Sequence, residues 1–315
     1  MKHLFTLDEW SDFDQTLADA QALKKNPLAQ QHLGIGKTLG LLFFNPSLRT
    51  RMSTQKAAQN LGLQTLVLNV GQDGWQLEFE TGSVMNLNRA EHVKEAAQVV
   101  SQYCDILAIR AFASLQNVHD DQAEKVLRSF MEYATIPIVN MESATAHPLQ
   151  AIADAMTINA HKKKEHPKVV LTWAPHPKPL PQAVPNSFVR MMRHQEASFV
   201  IASPSGYALD PKLTQGIKCT NNQREALEGA DFVYAKNWSS FSAYGQVLRT
   251  DDEWMITQEK MALTREGKFM HCLPVRRNVV VSDAVLDAPN SLVIEQACNR
   301  TYAAQAVLQK ILQDG

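Results

Sequence analysis

The stretch TLGLLFFNPSLRTRMSTQKAAQNLG, residues 38–62, decides the fold class. Its first seven residues are apolar without a polar alternation, as in a strand covered on both faces, which is the situation of parallel sheets. Asn45, Pro46 and Ser47 then supply turn chemistry, and a helix is expected to start around Leu48 to Arg51. A buried strand that turns directly into a helix is the repeating unit of an α/β protein.

The same alternation recurs along the chain. Apolar runs at 63–70, 105–112, 137–141, 168–174, 197–203, 231–238, 268–274 and 292–297 read as further strands, most of them buried on both faces. Between them, Val93, Ala96, Ala97, Val100 and Tyr103 fall on one helical face, as do Leu149, Ile152, Ala153 and Met156 behind Pro148. The expected fold is α/β with two doubly wound parallel-sheet domains, since 315 residues suffice for two cores. One domain spans 1–147, with a last helix from about Asn299 to 315 packing back on it, and the other spans 148–298.

The 31 basic and 32 acidic side chains leave a formal net charge of -1, so no global field favours nucleic acid or an anionic membrane. Anion binding, if present, is local. The lysines of HKKKEHP, residues 161–167, read as a solvated helix end. Cys104, Cys219, Cys272 and Cys298 form no C-x-x-C pair, which fits a reducing compartment and gives no zinc site. The polar start MKHLFTLDEW lacks a signal-peptide core, and a cytoplasmic protein is expected. HLGIGKT, residues 32–38, imitates a nucleotide phosphate loop, but Gln31 stands where the first glycine is required and the motif leads into a strand. No G-x-G-x-x-G follows a candidate strand, so neither a dinucleotide nor another cofactor or metal is expected.

The turn at 45–51 has the parts of an anion site: outward N–H groups at a helix start, hydroxyls on Ser47 and Thr50, and a guanidinium on Arg49. Arg110, His147, Gln150 and the HCLPVRR segment, residues 271–277, stand at the ends of other candidate strands, where open α/β sheets bind ligands. Each alone has a structural explanation. The helix start is an N-cap with surface arginines, His147 a cap before Pro148, Arg110 an ion-pair partner and Cys272 a small buried hydrophobe. Their shared placement at carboxyl ends in both halves instead suggests one cleft between the domains.

S-L-R-T-R at 47–51, H-P-L-Q at 147–150 and H-C-L-P at 271–274, with Arg110, Asn299 and Arg300, resemble in order and spacing the signatures of the aspartate and ornithine carbamoyltransferases. The resemblance implies that Ser47, Leu48, Arg49 and Thr50 hold the phosphate of carbamoyl phosphate. It assigns the carbamoyl end to Arg110, His147, Pro148, Leu149, Gln150, Cys272, Leu273 and Arg300, with Arg110, His147, Thr50 and Cys272 nearest the chemistry. It also implies a homotrimer with shared active sites, in which Trp75 completes a neighbour's site.

Ornithine enzymes of this family carry an aspartate and an S-M-G segment where this chain reads DFVYAKNWSSF, residues 231–241, with Lys236 in the strand. A lysine repels a free α-ammonium and suits an acylated α-nitrogen beside carboxylates. WAPHPKPLPQAVPNS, residues 173–187, resembles the proline-rich loop of carbamoyltransferases that act on acylornithines, where it belongs to a knotted carboxy-terminal domain. Glu142, His176, Lys236 and Arg276 match the acylornithine-binding positions of that group. Ala90 stands where acetylornithine enzymes have glutamate and succinylornithine enzymes proline, and a small neutral residue leaves room for a succinyl carboxylate. The implied reaction is carbamoylation of N-succinylornithine. N-acetylornithine as acceptor, or a non-catalytic metabolite-binding role, are the alternatives.

Overall fold

The computed structural model describes residues 3–314. Among them, the strands in chain order are β1 (Thr38–Phe43), β2 (Gln64–Asn69), β3 (Leu77–Glu78), β4 (Glu91–His92), β5 (Ile106–Arg110), β6 (Ile138–Glu142), β7 (Lys168–Trp173), β8 (Ser198–Ala202), β9 (Lys218–Thr220), β10 (Phe232–Lys236) and β11 (Lys268–Met270). The chain divides into two compact units. The first comprises Met1–Ser114, His119–Leu149 and Arg300–Gly315, and the second Leu115–Val118 and Gln150–Asn299.

In the first unit β2, β1, β5 and β6 lie side by side in that order, all parallel. Leu39 to Phe43 are buried throughout, as the apolar run requires. Gly40 is needed for close packing: a Cβ there would lie 2.8 Å from both Cys104 Sγ and Leu107 Cδ1. Leu42, Leu107, Ile109, Ile138, Leu127 and Phe130 form one apolar cluster with Phe5, Val93 and Ala97. Each large apolar side chain buried there contributes about 1.5–3 kcal/mol. The outer edge of β6 is covered by the amino-terminal segment, where Leu4 N–H donates to the Ile138 carbonyl at 2.9 Å and Asn140 N–H to the Leu4 carbonyl at 2.8 Å. β3 and β4 make a separate short parallel pair.

Two expectations are corrected here. β2 is an edge strand whose Gln64, Leu66 and Leu68 face outward, so it is not covered on both faces. On the helix Val93–Tyr103 the buried face is Val93, Ala96, Ala97 and Ser101, while Tyr103 is exposed.

In the second unit the parallel order is β11, β10, β7, β8, β9. The expected strand at 292–297 is instead the start of a helix, Val293–Asp314. Val293, Gln296, Asn299, Arg300, Ala303 and Ala304 are buried and Ile294 is exposed, which is a spacing of three to four rather than two. Sheet contact there ends at a single bridge between Phe269 and Ser291. The expected last helix therefore begins six residues before Asn299. The proline-rich segment also ends as a loop at Gln182, because the helix Ala183–Met192 takes in Pro185 within its first turn, where the missing N–H costs nothing.

Each sheet reverses its winding once. In the first unit the chain steps from β1 outward to β2 and later builds β5 and β6 on the other side, so the carboxyl ends of β1 and β5 flank the reversal. In the second unit the reversal lies between β7 and β10. Such switch points are where open α/β sheets bind ligands.

Candidate active site

The turn after β1 is built by its own side chains. Ser47 Oγ accepts the Thr50 N–H at 3.2 Å, and Asn45 Oδ1 accepts the Phe112 N–H at 2.6 Å, which ties the turn to the segment leaving β5. The helix Arg49–Asn60 starts here, with Leu48 exposed, Arg49 half-buried and Thr50 buried in its first turn. Its N–H groups and positive pole favour an anion.

Thr50 Oγ1 accepts hydrogen bonds from Arg300 Nη2 at 2.6 Å and from Arg110 Nη1 at 3.3 Å. Arg110 is the last residue of β5, and its guanidinium stacks 4.1 Å from the Phe112 ring centre. It is also paired with Glu142, the last residue of β6. His147 Nε2 lies 3.3 Å from Glu142 Oε2 and 3.4 Å from Arg300 Nη2. All five side chains belong to the first unit, and Thr50, Arg110, His147 and Arg300 are each at most 6% exposed. Two guanidinium groups on one buried hydroxyl repel each other and favour a bound anion beside them.

Glu124, which the sequence reading did not single out, shapes the turn that delivers His147. Its carboxylate accepts from Ser143 Oγ at 2.7 Å, Thr145 N–H at 2.7 Å and Thr145 Oγ1 at 2.6 Å. Burial pushes its pKa up and these donors oppose that rise.

Pro148 opens the helix Pro148–His161, with Leu149 buried behind it. Gln150 Nε2 donates to Asp154 Oδ1 at 2.8 Å, and Gln296 Nε2 donates to the same oxygen at 2.6 Å. Gln296 Oε1 in turn accepts the His271 N–H at 2.9 Å, and His271 Nδ1 accepts the Leu273 N–H at 2.9 Å. These bonds hold the HCLP segment beyond β11, where Cys272 is buried and Leu273 adopts a left-handed φ of 55°. The fully buried Tyr234 phenol is held well above its ordinary pKa by burial first, then by the charges of Asp154 and Cys272.

At the other switch point His176 follows β7 and Lys236 ends β10. The loop is pinned to the strand end: Asn237 Nδ2 donates to the Ala174 carbonyl at 2.8 Å, and Ser239 N–H to the Leu180 carbonyl at 2.8 Å. Arg276 Nε donates to His176 Nε2 at 3.1 Å, and His176 Nδ1 lies 2.8 Å from the Lys178 carbonyl oxygen and 3.1 Å from the Lys178 backbone nitrogen. Burial lowers the His176 pKa, the carbonyl of Lys178 opposes this, and the charges of Lys236, Arg276 and Lys178 lower it further. Buried Lys236 donates its Nζ to the Asn237 carbonyl at 3.0 Å.

Ser47, Thr50, Arg110, Glu142, His147 and Arg300 thus gather in one unit, and His176, Lys236 and Arg276 in the other. Glu142 stands with Arg110 and His147 because it closes β6. Trp75 and Ala90 lie on the exposed β3 and β4 segment, where Trp75 Nε1 donates to Glu91 Oε2 at 2.7 Å. Asp154 and Gln296 went unnoticed in the sequence, although the four-residue spacing from Gln150 to Asp154 on a helix was a signal for the first.

Fold and site together define a two-unit α/β protein with an arginine-rich cradle at one switch point and a cationic cluster at the other. The chain matches the carbamoyl-phosphate-binding domain of aspartate/ornithine carbamoyltransferases over residues 2–160 and their Asp/Orn-binding domain over residues 181–311. The N-succinylornithine carbamoyltransferase of Bacteroides fragilis (strain 638R) is 46% identical over 100% of this chain and 99% of its own. The N-acetylornithine carbamoyltransferase of Xanthomonas axonopodis pv. citri (strain 306) is 35% identical over 98% and 96%. A mutant N-acetyl-L-ornithine transcarbamylase, with one glutamate replaced by alanine and complexed with carbamyl phosphate and N-succinyl-L-norvaline, superposes with a TM-score of 0.91 at 35% identity, covering 99% of this chain and 100% of that one. This chain belongs to the aspartate/ornithine carbamoyltransferase family.

Proposed function

We propose that the protein transfers the carbamoyl group of carbamoyl phosphate to the δ-amine of N-succinyl-L-ornithine, giving N-succinyl-L-citrulline and phosphate, a step of arginine biosynthesis. The observation that carries this reading is the convergence of Arg110 and Arg300 on Thr50 at the start of the S-L-R-T-R helix. The relatives from Bacteroides support the choice of acceptor.

In this reading Ser47, Leu48, Arg49 and Thr50 hold the phosphate, with Trp75 closing over it from a neighbouring subunit. Arg110, His147 and Thr50 stabilise the carbamoyl oxygen as it gains charge during attack by the neutral amine. Pro148, Leu149, Gln150, Arg300 and the backbone at Cys272 and Leu273 orient the reacting groups. The buried Cys272 acts through its position, and no covalent intermediate is required. Lys236 and Arg276 offer positive charge and donors to the carboxylates of the acceptor, His176 holds Arg276 in place, and Glu142 offers a carboxylate to the acceptor's amine.

Ala90 is the specificity position. Solved complexes of acetylornithine transcarbamylase variants in which one glutamate is replaced by alanine, proline, valine or serine contain N-succinyl-L-norvaline. A small neutral residue at 90 fits the same chemistry. The acetyl reading draws on the 35% identical N-acetylornithine carbamoyltransferase.

A homotrimer is supported by the family resemblance and by the apolar side chains that the first unit leaves exposed, among them Leu48, Met52, Leu66, Val84 and Leu87. A knotted path through the proline-rich loop rests on resemblance. Cytoplasmic placement is favoured by four free cysteines, and no helix of the described residues is long and apolar enough to cross a membrane. The decisive experiment is ureido-product formation from carbamoyl phosphate with N-succinylornithine, N-acetylornithine, ornithine, aspartate and putrescine in parallel. Fastest turnover with N-succinylornithine is expected, and no product with any acceptor overturns the reading.

A further inference from the structure

We propose that Arg277 is a positioning residue for the acceptor site: forked onto Asp283 and Asp287, it fixes the loop that presents its neighbour Arg276. This rests on the carbamoyl-transfer reading above, which assigns Arg276 to the acceptor.

Two adjacent arginines of identical chemistry have opposite surroundings. Arg277 Nη1 donates to Asp283 Oδ1 at 2.9 Å and to Asp287 Oδ2 at 2.8 Å, and its Nη2 donates to Asp287 Oδ1 at 2.6 Å. Both terminal nitrogens thus meet both oxygens of Asp287, in the forked geometry that fixes the plane of a guanidinium as well as its distance. Arg276 meets no carboxylate among the described residues. Its side chain bonds His176 Nε2 through Nε at 3.1 Å, and its Nη1 and Nη2 make no hydrogen bond among the described residues.

The two acids are set by their spacing. Asp283 opens the helix Asp283–Leu286 and Asp287 follows it, four residues on and therefore on the same face. The intervening turn is closed on Arg276 itself. Val280 N–H donates to the Arg276 carbonyl at 3.0 Å, and Asn278 N–H donates to the Val281 carbonyl at 2.8 Å. Asn278, at a left-handed φ of 57°, exchanges hydrogen bonds with Asp283 at 2.9 Å and 3.0 Å. A turn tied to the Arg276 carbonyl passes any movement of Arg277 on to Arg276. Arg277, Asp283 and Asp287 are all half-exposed, and exposed pairs contribute little to folding stability. Here the pairing sets the direction of the side chain next to it.

The test compares the native protein with Arg277→Gln and Asp287→Asn, at saturating carbamoyl phosphate with N-succinylornithine varied. Each variant should raise the acceptor KM about five- to tenfold with kcat changed by less than about twofold, and the double variant should add less than about twofold to either, because both changes break one pairing. The direct Kd for carbamoyl phosphate in the absence of acceptor should stay within about twofold, and the melting temperature within about 4 °C. A plain field effect gives a different pattern. Removing a positive charge weakens binding of a carboxylate-bearing acceptor and removing a negative one strengthens it, so KM changes of opposite sign in the two variants overturn the proposal. An unchanged acceptor KM overturns it, and so does a parallel loss of carbamoyl phosphate binding and melting temperature, which marks a general structural role. Absence of ureido product in the native protein would instead overturn the carbamoyl-transfer reading, and this proposal with it.

Discussion

Arg300 Nη2 donates to Thr50 Oγ1 at 2.6 Å across 250 residues of sequence, and Arg110 reaches the same oxygen at 3.3 Å. Thr50 is the shared acceptor that sets both guanidinium groups. Thr50→Val keeps its shape and removes the acceptor, and a hydrogen bond to a charged group contributes about 1.5–3 kcal/mol. The expected result is a kcat/KM for carbamoyl phosphate lowered by roughly 10- to 100-fold, with a lower melting temperature because two buried guanidinium groups lose an acceptor. An unchanged kcat/KM would detach Thr50 from donor binding.

Arg49 stands in the first turn of the helix that begins beside Ser47, within the segment that offers N–H groups to an anion. Arg49→Ala should cost about 3 kcal/mol of transition-state stabilisation, read from kcat/KM, and should weaken inhibition by inorganic phosphate in parallel. Near-normal turnover would remove the phosphate cradle from this helix.

Ala90 precedes β4 on an exposed segment. Ala90→Glu places a negative charge where a succinyl carboxylate is proposed to lie, and should turn the preference from succinylornithine toward acetylornithine. Parallel kcat/KM values with the two acceptors measure the shift, and an unchanged ratio would exclude position 90 as the selector.

His176 provides a pH prediction. Burial, followed by its cationic neighbours, lowers its pKa below the ordinary 6.5, so the folded protein keeps the ring neutral while the unfolded chain takes up a proton. Stability is therefore unaffected above that value and falls as the pH drops through it toward the folded pKa. His176→Gln retains an acceptor for Arg276 Nε without titrating. Its melting temperature should decline less than the native protein's between about pH 7.5 and 5.5; equal declines would contradict the burial of a neutral ring.

Lys260 is a structural counterpart in the second unit. Its Nζ donates to Gln223 Oε1 at 2.5 Å, to the Met255 carbonyl at 2.9 Å and to the Glu253 carbonyl. Burial pushes its pKa down to about 8 from 10.5. Lys260→Met strands those acceptors and should cost about 1–3 kcal/mol in denaturant unfolding near neutral pH. The folded lysine also loses its proton earlier than the unfolded one. Native stability should accordingly gain on the variant's as the pH rises from about 8 to 10.5, and parallel curves would refute the shift.

The parallel cores were legible in the sequence because β1, β5, β7 and β10 lie inside their sheets and carry uninterrupted apolar runs. At 292–297 the same logic failed. Leu292, Val293 and Ile294 look like a strand, and what decides for helix is the burial of Gln296, Asn299 and Arg300, polar residues whose partners come from distant segments. The candidate site divides in the same way. Ser47, Arg49, Arg110 and His147 were visible as residue types near strand ends, and Arg300 through the family resemblance. Glu124 shapes the turn before His147, and Asp154 and Gln296 hold Gln150 and His271; only the Gln150–Asp154 spacing left a trace in the local pattern. Glu142 was visible, but its pairing with Arg110 follows from β5 and β6 ending side by side.

The helix Val293–Asp314 contributes its first residues to the second unit and, from Arg300 onward, its remainder to the first. During synthesis the first unit therefore emerges early yet lacks a wall until residues after the second unit have been translated. Asn60 must wait for Gln305, which its side chain bonds at 3.0 Å, and Thr50 for Arg300. A ribosome-bound nascent chain that stops short of Arg300 should thus hold an incomplete anion cradle, whatever the state of its sheet.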